Sequence, residues 1–316
     1  MRAALKKLRQ SRYYGVGLLL LIAIAIWAVF KLLTPSNFGD PEKLVSYLQT
    51  ALIYAVGGCG LYFICVMGLF DFSIGAMMIL AELAAIAFIP WLGYVSVVVV
   101  PVLVGLLLGI FNGVAYIKMR IPSIIVTTGL SLLYEAASVW MANVNGTRLP
   151  ASHNAFGSYP WNLVVALAAF CLCGFLLKYT KVGTYTNAIG ANELVAKNMG
   201  VDVDRYKAIA FALCGLFVGI MSILYLGYGT AQTPQTGMLS QSLNFKPLMG
   251  TFFGLAFRKY GHPVVSIVIG EYIVSMIFAG FVAMGVPTTI NNIVTGVTLL
   301  AIVTLTTKRF NGAVVK

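Results

Sequence analysis

Gly15-Val-Gly-Leu-Leu-Leu-Leu-Ile-Ala-Ile-Ala-Ile-Trp-Ala-Val-Phe-Lys-Leu-Leu33 carries one charge, Lys31, and no helix breaker after Gly17. As an α-helix rising about 1.5 Å per residue, the run is nearly as long as a bilayer's hydrocarbon core of about 30 Å is thick. Arg2, Lys6, Lys7, Arg9 and Arg12 precede it. The run is too long for the core of a signal peptide, and no convincing small-residue cleavage site accompanies it. It therefore reads as a retained first span with its N-terminus on the cytoplasmic side.

The same pattern recurs along the chain. Apolar runs and their breakers give ten candidate spans, near 15–33, 44–67, 72–89, 94–117, 122–142, 162–178, 207–226, 247–257, 263–283 and 289–307, the eighth too short for a full crossing. With 60% hydrophobic and 9% charged residues and a mean hydropathy of +0.92, the chain lacks the polar surface that a soluble globule of 316 residues needs. No regular short-strand alternation suggests an outer-membrane barrel. The expected fold is all-α, a polytopic membrane protein of about ten transmembrane helices in one domain over residues 1–316.

The formal charge of +12 does not point to nucleic acid, because the basic residues stand in small groups at the ends of apolar runs. Ten crossings place 17 of the 21 Lys and Arg residues on the cytoplasmic side and leave Lys31, Lys43, Arg148 and Lys246 outside. Both termini are then cytoplasmic, and the external loops are 34–43, 143–161 and 227–246. Cys59, Cys65, Cys171, Cys173 and Cys214 all lie in apolar stretches and, with only His153 and His262 to assist, support neither a disulfide framework nor a zinc site. Asn145-Gly146-Thr147 matches a glycosylation sequon, a pattern short enough to be discounted.

Residues 184–207 form the longest water-compatible segment inside the chain. Ala191 to Met199 has the composition of a short helix closed by Gly200, with Asp202, Asp204, Arg205 and Lys207 following. A short amphipathic helix between two spans reads either as a docking element or as an ordinary polar loop.

Several features lie inside the spans. Gly105, Gly109 and Gly113 stand four residues apart, as do Gly215 with Gly219 and Gly250 with Gly254, the spacing that lets helix backbones approach closely. Gly68-Leu-Phe-Asp-Phe-Ser-Ile-Gly75 interrupts two apolar runs, and irregular backbone at membrane depth needs protein or water to satisfy it. Asp71 either lines a polar path or, with Ser73 assisting, caps the third helix. Glu82, Glu135 and Glu271 sit in apparent spans, where an unpaired charge costs about 2.5–3.5 kcal/mol or more. They are candidates for a transport path, or for proton carriers in a secondary transporter, although no paired half-broken helices show in the sequence. Neither a nucleophile elbow nor a His-Glu-x-x-His motif is present, so an intramembrane enzyme is not indicated, and no phosphate-binding Gly-x-x-x-x-Gly-Lys-Ser/Thr loop occurs.

Taken together, the separated motifs resemble one family. Gly68-Leu-Phe-Asp-Phe-Ser-Ile-Gly75 is similar to the Gly-Gly-Ile-Asp-Leu-Ser-Val-Gly signature of the ribose-type permeases of bacterial ABC importers, in the branched-chain/sugar superfamily. Gly109-Ile-Phe-Asn-Gly113 and Ile121-Pro-Ser-Ile-Ile-Val-Thr-Thr-Gly129 resemble that family's Gly-x-x-Asn-Gly and Ile-Pro-x-Phe-Ile-Val-Thr-Leu-Gly regions. Ala188-Ile-Gly-Ala-Asn-Glu-Leu-Val-Ala-Lys-Asn-Met-Gly-Val201 is similar to its cytoplasmic coupling segment, and order and spacing hold from about residue 45 to 307. The chain departs from the family at Tyr134-Glu135-Ala136, where Arg-Gly is usual, and across 250–261, where a glycine-rich turn is usual.

The resemblance implies a permease subunit in the bacterial inner membrane with the vitamin-B12-permease-like (type II) architecture. It implies a second permease subunit, identical or different, an ABC ATPase and an extracytoplasmic solute-binding protein as partners, with ATP and Mg held by the ATPase and no cofactor on this chain. The 184–204 segment is then the ATPase coupling segment, with Asn187, Gly190, Asn192, Glu193, Leu194, Ala196, Met199 and Gly200 as its candidate residues. Asp71, Ser73, Glu82, Asn112, Glu135 and Glu271 are the translocation-path candidates. The solute expected is a small polar one, a monosaccharide ahead of nucleosides or amino acids.

Overall fold

The computed structural model describes residues 14–229, 232–260, 263–286 and 291–306. Its helices are α1 (Tyr14–Leu33), α2 (Pro41–Cys65), α3 (Ile74–Leu92), α4 (Tyr94–Met119), α5 (Ser123–Asn145), α6 (Trp161–Tyr179), α7 (Lys181–Ala191), α8 (Glu193–Asn198), α9 (Val203–Gly229), α10 (Phe245–Ala256), α11 (Pro263–Ala283) and α12 (Asn291–Thr306). Each of the ten apolar runs is a helix. Eight of them, α1 to α6, α9 and α11, are long and apolar enough to cross a membrane. The other two, α10 with 12 residues and α12 with 16, are shorter.

The C-terminal half of α2 is the centre of the bundle, with every residue from Ala51 to Cys65 buried. It is enclosed by α9, α10 and α11, while α3 packs against α4, α5 and α9. The closest pair is α4 with α9, and the glycine spacing explains it. A Cβ on Gly105 would overlap the carbonyl oxygen of Gly215, one on Gly109 would meet Phe211 and Gly215, and one on Gly219 would meet Pro101. The third glycine pair does a different job: a Cβ on Gly254 would meet Ile267 on α11, and one on Gly250 would displace the Glu271 carboxylate.

At the α1–α2 turn Lys31 donates to the carbonyls of Pro35 and Phe38 and to Asp40, with Lys43 on the other Asp40 oxygen. These hydrogen bonds, Lys31's first, hold the exposed Asp40 carboxyl below the usual carboxylate range.

The expected 191–199 helix starts later than its composition suggests. Asn192 is its N-cap, accepting from the Val195 N–H at 3.1 Å, so α8 begins at Glu193. A further helix, α7, precedes it and lies in what reads as loop sequence. Gly200 closes α8 as expected, at φ 85° with the Val201 N–H returning to the Ala196 carbonyl.

Candidate functional site

Two of the breaks between crossing helices lie at 66–73 before α3 and at 237–244 before α10, where Leu239–Asn244 is a 3-10 turn. Paired breaks are absent from the sequence reading, yet in the structure the two meet. Asn244 joins them: its Oδ1 accepts the Gly75 N–H at 2.6 Å and its Nδ2 donates to the Phe72 carbonyl at 2.6 Å. A Cβ on Gly75 would overlap the Ser240 carbonyl, so only glycine lets the second break lie this close to the start of α3.

Helix α5 satisfies both breaks from one face. Ser123 Oγ accepts the Phe70 N–H at 3.1 Å and Thr127 Oγ1 the Phe72 N–H at 3.0 Å. Two turns further on, Glu135 accepts the Met238 and Ser240 N–H groups at 2.9 and 3.0 Å, one on each oxygen. Ser123, Thr127, Ser131 and Glu135 stand four residues apart, a polar stripe on one helix face whose spacing is visible in the sequence. Glu135, expected as a path candidate, thus serves as an anchor for backbone that would otherwise be unpaired.

Asp71 corrects the cap expectation. Its Oδ1 accepts the Ser73 N–H at 2.8 Å and the Ser73 hydroxyl at 2.6 Å, while Oδ2 accepts Asn112 Nδ2 at 3.0 Å. Asn112 Nδ2 also reaches Ser73 Oγ, and Tyr134 donates to Asn112 Oδ1 at 2.7 Å. Neither Asp71 nor Ser73 takes an N–H from inside α3; the trans partner Asn244 does. Asp71, Ser73, Asn112 and Tyr134 are all buried, and together they tie the first break to α4 and α5.

This arrangement leaves no place for an amide at position 71. An amide there presents a donor to Asn112 Nδ2, and turning Asn112 over sets its oxygen against Ser73 Oγ. We expect Asp71→Asn to cost about 1–3 kcal/mol, the range for a buried polar group left unmatched. Thermal unfolding of Asp71→Asn beside Asp71→Ala checks it; a wild-type melting temperature for Asp71→Asn would show that the network does not discriminate the amide.

Glu82 and Glu271 differ from Asp71 and Glu135. Glu82 is fully buried in α3, with the buried Gln232 side chain beside its carboxylate. Glu271 is fully buried in α11; its Oε1 accepts the Gly250 N–H at 2.9 Å and its Oε2 is unpartnered among the described residues. Glu271 lines a cavity of about 430 Å³ with Tyr47, Thr50, Ser242, Lys246, Ser275 and Phe278. Lys246 sits over the Tyr54 ring at 4.6 Å and the Phe278 ring at 5.5 Å, with Nζ 3.4 Å from the Tyr54 hydroxyl. Tyr54 in turn packs edge-on against Tyr225.

Lys246, Tyr54 and Tyr225 were not among the sequence candidates. Lys246 reads as part of an external loop, yet it is half-buried beside the acid. The available signal was the short eighth span, which obliges residues 239–246 to enter the bundle for α10 to pack at all. The chamber brings a cation, an acid, hydroxyls and aromatic rings together, a set suited to holding a small polyhydroxylated solute.

The 184–204 candidates divide by what they touch. Leu194 and Met199 are 73% and 79% exposed, while Ala196 is buried beneath them. Glu193 pairs with Lys207 at 2.8 Å, tying α8 to α9. A Cβ on Gly190 would overlap the Val66 carbonyl, so α7 sits directly on the end of α2, where the first break begins. Asn187 gives its carbonyl to Arg258 Nη2 at 3.3 Å. Asn192 and Gly200 shape α8 through its two ends.

Residues 43–303 match the family described as branched-chain amino acid transport system / permease component. The ribose import permease protein RbsC of Escherichia coli K12 is 27% identical over 93% of this chain and 92% of its own length. The xylose transport system permease protein XylH of Haemophilus influenzae is 25% identical over 92% and 95%. The fructose import permease protein FrcC of Rhizobium meliloti is 24% identical over 90% and 83%. No solved structure matches the chain.

Proposed function

The chain belongs to the branched-chain amino acid transport system / permease component family, and we propose that it is the membrane subunit of an ATP-driven importer for a monosaccharide. It is a multi-pass membrane permease and not an enzyme. The observation that carries the solute class is the chamber at Lys246 and Glu271, where charge, hydroxyls and aromatic faces surround about 430 Å³. The ribose, xylose and fructose permeases named above support the same class.

In this reading an extracytoplasmic binding protein delivers the sugar, and a second permease subunit completes the pathway. A separate ATPase, holding ATP and Mg, docks on α8 at the cytoplasmic face, where both termini also lie. Its closure pushes α7 and α8 against the rest of the bundle through two contacts, Gly190 on the end of α2 and Glu193 on Lys207 of α9. The α2 contact adjoins the first break, which Asn244 couples to the second break and so to Lys246 and α10. Movement at the coupling segment thereby has a contiguous route to the chamber, the kind of differential contact that shifts a population between inward-open and outward-open states.

The two fully buried acids Glu82 and Glu271 favour one rival reading, a proton-coupled carrier. Reconstituted vesicles separate the two. We expect uptake to require ATP, the ATPase and the binding protein; uptake by this chain alone under an imposed pH gradient, lost in Glu82→Gln or Glu271→Gln, would overturn the importer reading. Topology has its own check. Asn192→Cys should resist a membrane-impermeant thiol reagent added outside intact cells, and labelling from outside would refute the orientation.

A further inference from the structure

A second cavity, of about 580 Å³, lies away from the chamber, between α6 and α11 and floored by Tyr62 of α2. We propose that it is a binding site for one anionic glycerophospholipid, with an acyl chain in the groove and the phosphate held between Lys178 and Arg258. The orientation argued above serves only to name the leaflet, the cytoplasmic one.

The lining is segregated. Along α6 the groove runs from Leu167 past Phe170 and Gly174 to Lys178, a rise of about 16 Å. That length matches half of a hydrocarbon core of about 30 Å, the reach of one acyl chain within its leaflet. Gly174 has nothing within 4 Å of where its Cβ would be, so the groove is open at its middle. The cations stand at one end only, Lys178 in the last turn of α6 and Arg258 just ahead of α11. Basic pockets between transmembrane helices at the membrane boundary suit anionic head groups.

The charge is not consumed by acids. Neither Lys178 nor Arg258 is in a salt bridge among the described residues; Arg258 contacts the Asn187 carbonyl and Lys178 lies 5.1 Å from the Tyr179 ring centroid. Arg258 reaches α7 through that carbonyl, so an occupied site braces the coupling segment against α11.

The test uses the purified full-length chain and lipid retention, which does not depend on transport. Native mass spectrometry after equilibration with mixed micelles of palmitoyl-oleoyl phosphatidylglycerol and phosphatidylcholine should show phosphatidylglycerol retained roughly tenfold more. Lys178→Gln with Arg258→Gln should abolish the preference, and Gly174→Leu, which fills the groove, should reduce retention of both lipids. Melting temperatures matching wild type in phosphatidylcholine establish that the variants fold. Equal retention of the two lipids by wild type, or an unchanged preference in the double variant, would overturn the proposal. So would stabilisation by inorganic phosphate equal to that by phosphatidylglycerol, which would leave the groove without a role. Cys171 is exposed in the groove; a Cys171–Cys171 crosslink between copies that phosphatidylglycerol does not suppress would place a second protomer there instead.

Discussion

Gly215→Val should leave almost no folded protein in the membrane. The Gly215 Cα faces α4, where an added Cβ would overlap the Gly105 carbonyl and crowd Gly109, backbone atoms that no rotamer change can move. Overpacking a tight interior with single methylenes costs about 1–3 kcal/mol. Valine adds three carbons against main chain, so the cost falls above that range and approaches the whole stability of a typical domain, about 5–15 kcal/mol. Gly17→Ala is the internal comparison, because Gly17 is an exposed helix residue with nothing within 4 Å of its Cβ position. That change should be neutral or stabilise α1 by about 0.5–1 kcal/mol through helix propensity. Membrane accumulation of the two variants, followed by a fluorescent fusion, checks both; normal accumulation of Gly215→Val would mean that α4 and α9 do not pack as closely as described.

The contrast between those two glycines shows what one sequence exposes. Hydrophobic run length is a local property, and it placed ten helices within a few residues of where they lie. The four-residue spacing of Gly105, Gly109, Gly215 and Gly219 is also local, and it announced a close contact, though not that these glycines face one another across α4 and α9. Partners of broken backbone are a non-local property. Nothing around Gly68 to Gly75 says that its amides will be met by Ser123, Thr127 and, from 169 residues away, Asn244. Asp71 illustrates the consequence: its position before an apolar run reads as a cap, while its second oxygen is committed to Asn112 on another helix.

The same distinction governs the acids. Sequence marks Glu82, Glu135 and Glu271 alike, as charges in apolar surroundings. Only three dimensions separate Glu135, whose oxygens both hold main chain, from Glu271, which has one oxygen unpartnered among the described residues and lines a chamber shared with Lys246. Lys246 itself is hidden from a topology count because a lysine near a span end ordinarily reports the membrane surface. Here the short α10 draws it inward.

Replacing both Leu194 and Met199 by glutamate should bring ATP-driven uptake to background while the permease accumulates and melts normally. Leu194 projects from α8 and Met199 from its C-cap, both with most of their surface exposed, and Ala196 between them is buried. Exposed substitutions of this kind change stability by about 0.5 kcal/mol or less. Two apolar anchors buried at an interface each contribute about 2 kcal/mol, so their joint loss weakens ATPase docking by roughly a thousandfold. Asn192→Ala should act differently. It removes the α8 cap at a cost of about 1 kcal/mol, leaves both anchors in place and lowers uptake only partly, with Asn192→Asp restoring it because a carboxylate oxygen also accepts the Val195 N–H. Co-purification of the ATPase with each variant, measured beside uptake, tests the assignment of docking to the exposed apolar face of α8: retained ATPase and normal uptake in the double glutamate variant would remove that face from the coupling interface.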